Sequence, residues 1–144
     1  MNRIMGIDVG EARIGLALSD QLGMLAHPLE TVHVKEGKPL HRVAEVIRRE
    51  KIATVIIGLP RNMNGTYGPA ADKVREFAKK LQNLVPCEVK FWDERLSTVA
   101  AQRSLHEAGR DTKKSRSVID QVAAQIILQA YLDSLALLPP PELD

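Results

Sequence analysis

Residues 3–19 read RIMGIDVGEARIGLALS, two apolar runs joined by a short polar segment. The runs at 3–9 and 13–19 have the composition of buried strands, and a connection as short as 10–12 requires an antiparallel hairpin. Asp8 stands near the end of the first run, where a carboxylate suits either a turn or chemistry at the edge of a sheet. The hairpin therefore predicts the first two strands and supplies the first candidate site residue.

Strands and helices alternate along the rest of the chain. A third strand with one solvated side is predicted at 29–34, because apolar and polar residues alternate there. The spacing of apolar residues predicts two helices that begin near Pro39 and Pro69. The remaining predicted elements are strands at 52–58 and 87–92, helices at 97–108 and from Ile119 onward, and a mobile basic loop at 110–117.

The order of these elements predicts a fold class. Strands that are separated by helices pair most simply in parallel with the first strand, through right-handed crossovers. We therefore predict an α/β protein with a five-stranded mixed sheet flanked by helices. Sites in such sheets form at the carboxyl ends of the parallel strands. Asp8 and Glu94 both lie at ends of this kind, so we expect them to meet at one edge.

Length and composition limit the class of protein further. The 144 residues, 44% of them hydrophobic, suit one globular domain, which we predict at 1–138 with a proline-rich tail at 139–144. The net charge of +2 does not by itself indicate a nucleic-acid binder. The single cysteine excludes an internal disulfide and favours a cytoplasmic location. No apolar segment is long enough to cross a bilayer, so we expect no membrane association.

Three acidic residues at the edges of apolar segments are the strongest candidates for chemistry: Asp8, Glu94 and Asp120. Carboxylates that the fold gathers repel one another unless a hard cation binds them, and such sites usually act on phosphates. Simpler explanations exist, because Asp8 can turn the chain and Glu94 can be a solvated residue. Asp120 can occupy the third position of a helix that Ser117 caps. The pattern also leaves open whether Asp93 or Glu94 points into the site.

Four blocks of the sequence carry a resemblance to a known family: GIDVGEARIGLALSD at 6–20, GLPRNMNGTYGP at 58–69, DERLST at 93–98 and IDQVAAQIILQAYLDS at 119–134. With these blocks in this order, the chain resembles the YqgF family, also called RuvX. The resemblance implies a ribonuclease H-like fold with strand order 3-2-1-4-5 and strand 2 antiparallel. It also implies that Asp8, Glu94 and Asp120 are the catalytic residues and the metal ligands, with Glu94 taken as the site acid of the DER motif.

The resemblance implies a nuclease that hydrolyses phosphodiester bonds with one or two Mg²⁺ or Mn²⁺ ions. The expected role is processing of the 5′ end of pre-16S rRNA during ribosome biogenesis. The alternative is a Holliday junction resolvase, which needs two active sites and hence a dimer. Two weaker alternatives are a non-catalytic module that binds nucleic acid or ribosomes and an ATP-binding protein of the actin and sugar-kinase type.

Seven further residues are candidates for nucleic-acid binding: Arg13, Asn62, Asn64, Arg95, Lys113, Lys114 and Arg116. The cations could contact backbone phosphates, and the asparagines could donate hydrogen bonds to backbone or sugar. Solvated charges and turn formation explain most of them nearly as well. The expected partners are structured RNA or branched DNA and a pre-ribosomal particle, and the protein is expected to be a monomer or a weak homodimer.

Overall fold

The structure, a computed structural model, describes residues 3–62, 64–94 and 113–136. Within these ranges the strands are β1 (Arg3–Val9), β2 (Arg13–Ser19), β3 (Ala26–His33), β4 (Ile52–Leu59) and β5 (Glu88–Asp93). The helices are α1 (Pro39–Arg49), α2 (Pro69–Gln82) and α3 (Lys113–Ala136), and a 3₁₀ turn covers Val34–Glu36. None of these described helices has the length and apolar character that a membrane crossing requires.

The five strands form one mixed sheet in the order β3-β2-β1-β4-β5. β2 pairs antiparallel with β1 and β3, whereas β4 pairs parallel with β1 and β5. The Gly10 amide donates to the Arg13 carbonyl at 2.9 Å and closes the first hairpin. The predicted α/β class, strand order and antiparallel second strand are therefore confirmed.

Apolar side chains on the two faces of the sheet pack against different helices. On one face, buried residues of α1 and α2 pack with Met5 and Ile7 of β1 in the larger core cluster. On the other face, α3 contributes Ile127 and Leu128. Ile127 packs against Ile56 of β4, and Leu128 packs in a second cluster with Ala17 of β2. Burial of an aliphatic side chain of this size contributes about 1.5–3 kcal/mol, so both layers hold the sheet in place.

Features at the start of α1 and α2 explain where these helices begin. Pro39 and Pro69 occupy the first turn of their helices, where the missing amide hydrogen would have no helical partner. Each helix buries one apolar stripe, with Val43 and Ile47 buried in α1 and Val74 buried in α2. The two helices predicted at these positions are confirmed.

The third strand begins earlier than the sequence predicts. β3 covers Ala26–His33 instead of 29–34, although it lies at the end of the strand order as expected. The predicted start was too late because Pro28 lacks the amide hydrogen that a strand ladder uses. An edge strand tolerates proline, and the pairing register shifts between Leu16 and Ala17, where Ala17 faces Pro28.

The last helix also begins earlier than predicted. α3 includes 113–117, so the predicted mobile loop at 110–117 is wrong for those residues. Lysine and arginine are good helix formers, and the two serines among these residues cost little once the following turns are packed. Ser117 therefore lies inside the helix and is not its N-cap, and Asp120 lies about two turns beyond Lys113. The capping explanation of Asp120 is thereby removed.

Other predictions fall outside the described residues: the helix at 97–108, Arg95 and the tail at 139–144. For Lys113, Lys114 and Arg116, the structure describes the helical backbone and not the side chains. The domain boundary at 138 stays a prediction.

Candidate active site

Asp8 lies in the sheet between two glycines on the neighbouring strands. Gly15 of β2 is its paired residue, and Gly58 of β4 follows Ile57, which pairs with Ile7. Ile7 packs on the side of α1 and α2, so Asp8 points to the side of α3, because successive strand residues alternate. Only 2% of Asp8 is exposed. We call the row of Gly15, Asp8 and Gly58 the Asp8 row. Because its two glycines have no side chains, other groups can approach the row closely on the side of the sheet that α3 covers.

α3 crosses the sheet at the Gly15 end of the Asp8 row. A Cβ atom on Gly15 would overlap the backbone carbonyl oxygen of Asp120, so glycine is needed for this close approach. Asp120 is buried, with 7% of the residue exposed. Arg13 Nε donates a hydrogen bond to Asp120 Oδ2 over 2.6 Å. β2 therefore positions Asp120 twice, through the space at Gly15 and through the charge of Arg13.

Glu94 lies at the other end of the Asp8 row. A Cβ atom on Gly58 would stand 2.9 Å from Glu94 Oε1 and 3.2 Å from Glu94 Cγ, so the Glu94 side chain passes over Gly58. Asp93 points elsewhere, because its Oδ2 accepts a hydrogen bond from Arg61 Nη1 at 3.0 Å. Of the two neighbouring acids, Glu94 is therefore the one whose side chain lies over Gly58 in the Asp8 row, a choice that the sequence pattern left open.

The carboxyl groups around the Asp8 row differ in their electrostatics. Burial raises the pKa of the Glu94 carboxyl above its ordinary value of 4.5, and the negative charge of Asp93 raises it further. Asp120 has the guanidinium group of Arg13 as a counter-charge. Burial disfavours the charged form of a carboxyl group and so raises its pKa. Recessed carboxyl groups with a raised pKa are common at functional sites.

Two observations bear on whether the site suits a metal ion. The donor set is appropriate, since Mg²⁺ and Mn²⁺ prefer carboxylate oxygens. Among residues 3–62, 64–94 and 113–136, no group of three His, Cys, Asp or Glu side chains is arranged to hold a metal ion. Arg13 already engages one oxygen of Asp120. The oxygen donors thus suit a hard divalent ion, although the described side chains are not yet arranged around one. Binding such an ion would draw the carboxylates closer together.

Three predicted nucleic-acid-binding residues have described side chains, and each has a partner within the protein. Arg13 pairs with Asp120. Asn62 Nδ2 donates to Thr66 Oγ1 at 3.0 Å, and Asn64 Oδ1 accepts from the Thr66 amide at 3.1 Å. The asparagines thus shape the loop after β4, and their role in binding stays a prediction. The side chains of the other four lie outside the described part: Arg95, Lys113, Lys114 and Arg116.

Sequence reasoning missed three residues that organise the site. Gly15 and Gly58 lie within apolar strands, and a glycine in that position is itself a signal of close approach by another group. Arg61 ties the loop after β4 to β5, because it binds Asp93 and donates from Nε to the Gly65 carbonyl at 2.6 Å. No spacing in the sequence indicates the pairing of Arg61 with Asp93, which depends on the parallel register of β4 and β5.

The chain is similar to the proteins of one family over nearly its whole length. The family model for RuvX, described as Holliday junction resolvase, matches residues 2–134. A protein of Bacillus mycoides (strain KBAB4) is 44% identical over 135 residues, which cover 92% of this chain and 98% of the relative. A protein of Bacillus cereus (strain G9842) is 43% identical with the same coverage. Both relatives are provisionally named pre-16S rRNA nuclease.

Among solved structures, T. thermophilus RuvC in complex with Holliday junction substrate is similar to this chain with a TM-score of 0.58. The alignment covers 95% of this chain and 97% of that chain at 18% sequence identity. At this identity the similarity concerns the fold alone, and it agrees with the ribonuclease H-like fold that the family resemblance implied.

Proposed function

The chain belongs to the RuvX family, and from this membership we propose that it is a metal-dependent nuclease that hydrolyses phosphodiester bonds. The family relationship covers the segments that carry all three predicted site acids, since the matched residues run from 2 to 134. The proposal therefore concerns the whole described site and not a single motif.

The arrangement around the Asp8 row is the observation that carries the proposal. Asp120 approaches Gly15 and Glu94 approaches Gly58, and these glycines stand on either side of Asp8. Asp8 and Asp120 are buried and Glu94 is half-buried, and a set of recessed carboxylates of this kind costs the fold stability. Hydrolysis of a phosphodiester makes use of such a cluster, because carboxylate oxygens can bind a divalent cation beside the reacting phosphate.

Asp8, Glu94 and Asp120 would hold one or two Mg²⁺ or Mn²⁺ ions in the proposed mechanism. A bound ion would activate the attacking water and stabilise the negative charge on the leaving oxygen. Asp8 provides a fixed point, because β1 is paired on both sides. Arg13 orients the Asp120 carboxylate through their hydrogen bond of 2.6 Å. Asp8 and Asp120 are buried from bulk water, which strengthens electrostatic interactions in the site.

We propose a precursor of 16S rRNA as the substrate, processed at its 5′ end, because the Bacillus relatives carry that name. One active site suffices for one RNA strand, so a monomer could act on a pre-ribosomal particle in the cytoplasm. The second candidate substrate is a Holliday junction, which the description of the family favours. A symmetric junction requires two active sites and therefore a dimer.

A cleavage assay with both substrates tests the proposal. The wild-type protein and the Asp8→Asn variant are incubated with a 5′ segment of precursor 16S rRNA and with a four-way DNA junction, in Mg²⁺, in Mn²⁺ and in EDTA. We expect the wild type to cleave with either ion and not in EDTA, and the variant to fold and bind without cleaving. The preferred substrate distinguishes the two candidates.

Several outcomes would contradict the proposal. Full cleavage by Asp8→Asn would exclude the carboxylate mechanism, and cleavage that persists in EDTA would exclude the metal dependence. Binding of either substrate without cleavage under all conditions would favour a non-catalytic module. Hydrolysis of ATP without nuclease activity would favour an ATP-binding protein of the actin and sugar-kinase type.

A further inference from the structure

Tyr67 lies between two arginine side chains near the carboxyl edge of the sheet. The guanidinium carbon of Arg61 is 4.8 Å from the centre of the Tyr67 ring, and that of Arg75 is 4.4 Å from it. These are distances of cation–π contacts. Arg61 also binds Asp93 at the carboxyl end of β5, so this Tyr67 cluster of Arg61, Tyr67 and Arg75 lies at the same edge of the sheet as the candidate active site. Tyr67 remains 42% exposed.

A groove of about 320 Å³ lies between α2 and β5 and starts from the same Arg75. Its lining consists of Arg75, Ala78, Lys79, Gln82, Val89 and Phe91. Phe91 is 43% exposed, and β5 lies at the end of the strand order. Because Arg75 belongs both to the Tyr67 cluster and to this α2–β5 groove, the two features adjoin on the side of the sheet that α2 covers.

The chemistry of this surface suits single-stranded nucleic acid. Unpaired bases stack on exposed aromatic rings whatever the sequence, while cations follow the phosphate backbone. Phe91 provides an exposed ring, and at Tyr67 a base can stack on the guanidinium planes of Arg61 and Arg75 that cover the ring. Arg75 and Lys79 are four residues apart on α2, which places them on one face of the helix. The contact of Arg75 with Asp72 is long, at 3.4 Å, and exposed, so it competes weakly with a phosphate.

We propose that the Tyr67 cluster and the α2–β5 groove bind a single-stranded segment of the substrate that flanks the phosphodiester to be cleaved. The proposal rests on the proposed nuclease function for the position of that segment beside the cleaved bond. Paired bases keep their faces inside the double helix, so a duplex cannot stack on Tyr67 and Phe91. The surface therefore selects substrates that have an unpaired strand next to the cleavage site.

Fluorescence anisotropy tests the binding with the full chain in EDTA, where cleavage does not interfere. The probes are a labelled single-stranded RNA of about 12 nucleotides, within the range covered by one such surface, the DNA strand of the same sequence, and the corresponding blunt duplex. We expect the wild type to bind the single strands more tightly than the duplex. The RNA and DNA arms show whether the 2′-hydroxyl contributes.

Two kinds of variant separate stacking from charge. Tyr67→Leu and Phe91→Leu keep an apolar side chain and remove the aromatic face, and each is expected to weaken single-strand binding about fivefold or more. The double variant Arg75→Gln/Lys79→Gln is expected to reduce the slope of log affinity against log salt by about 1.4, since each phosphate bound on a single strand contributes about 0.7.

Matched controls stand at the opposite end of the sheet. Arg48→Gln/Lys51→Gln removes the same charge from exposed positions within and after α1, and Leu22→Ala removes an exposed apolar side chain from the turn before β3. Both controls are expected to keep the wild-type affinity and salt slope. Circular dichroism and thermal melting of every variant show that the fold is retained.

The outcomes separate this proposal from the proposed function. Groove variants that bind and cleave like the wild type, while Asp8→Asn fails to cleave, would overturn the groove and leave the nuclease intact. Weak binding by the groove variants in a protein without nuclease activity would support the groove as a nucleic-acid surface and overturn the nuclease. Equal effects of the groove and control variants, or tighter binding of duplex than of single strands, would overturn the groove. Wild-type protein that binds neither the single strands nor the duplex would overturn the groove as well.

Discussion

Gly58→Ala is expected to separate the stability of the fold from the geometry of the site. The added Cβ atom would stand 2.5 Å from Ile127 Cδ1 and 2.9 Å from Glu94 Oε1, whereas ordinary contact begins at 3.4 Å. The end of the Ile127 side chain must therefore move by about 0.9 Å and the Glu94 carboxylate by about 0.5 Å. Both neighbours are the ends of flexible side chains, so the backbone can stay in place.

The two consequences of Gly58→Ala differ in size. Overpacking of this kind costs about 1–3 kcal/mol, and the reduced freedom of the unfolded chain offsets about 0.4–1 kcal/mol of that. The free energy of unfolding should therefore fall by about 1 kcal/mol. A displacement of 1 Å at a reacting centre can reduce the rate about a hundredfold, so we expect the shift of about 0.5 Å at Glu94 to slow single-turnover cleavage about tenfold.

Urea denaturation and single-turnover cleavage of the preferred substrate measure both effects. Gly68→Ala is the matched control, because its Cβ atom would lie 3.4 Å from Asn62 Nδ2 and needs no movement of Glu94. Gly15→Ala is the contrasting case, because its Cβ atom meets the backbone of Asp120 and should destabilise the fold more. Cleavage by Gly58→Ala at the wild-type rate would refute the role assigned to the position of Glu94.

Charges around the site give three further predictions. Arg13→Gln and Asp120→Asn should show a coupling free energy of about 1–3 kcal/mol in a double-mutant cycle of urea denaturation; additive effects would mean that their 2.6 Å hydrogen bond contributes nothing. Because the folded-state pKa of Glu94 is raised above 4.5, the free energy of unfolding of the wild type in EDTA should fall as pH rises from 4.5 through the raised pKa. Glu94→Gln should lack this fall. A difference in unfolding free energy between the two proteins that stays constant with pH would contradict the shift. Neutralising Lys113, Lys114 and Arg116 together should weaken nucleic-acid binding and flatten its salt dependence by about 0.7–0.9 for each phosphate that is no longer neutralised; an unchanged slope would exclude these residues.

The sequence predicts the sheet well because its signals are local. The hairpin at 3–19 follows from two apolar runs and a short turn, and Pro39 and Pro69 mark the helix starts. The start of α3 has no such signal, since residues 113–117 carry no apolar stripe and are helical only as an extension of the packed part.

The candidate site is less accessible from the sequence than the fold. Strand ends indicated Asp8 and Glu94, and the family resemblance chose Glu94 over Asp93. The contacts of Arg61 and Gly58 supply the physical reason for that choice. The α2–β5 groove was not predicted at all, because it depends on how a helix and an edge strand lie against each other. Such contacts between distant segments leave no periodicity in the chain.

The contribution of α3 to the site sets an order of events during translation. Arg13 and Asp120 are 107 positions apart, and domains are synthesised from the amino terminus onward at about 5–20 residues per second. The first hairpin thus leaves the ribosome several seconds before its partner helix exists. If Asp120 is required for hydrolysis, a nascent chain cannot cut the RNA around it until α3 has been made and has docked, so assembly of the protein itself delays the onset of activity.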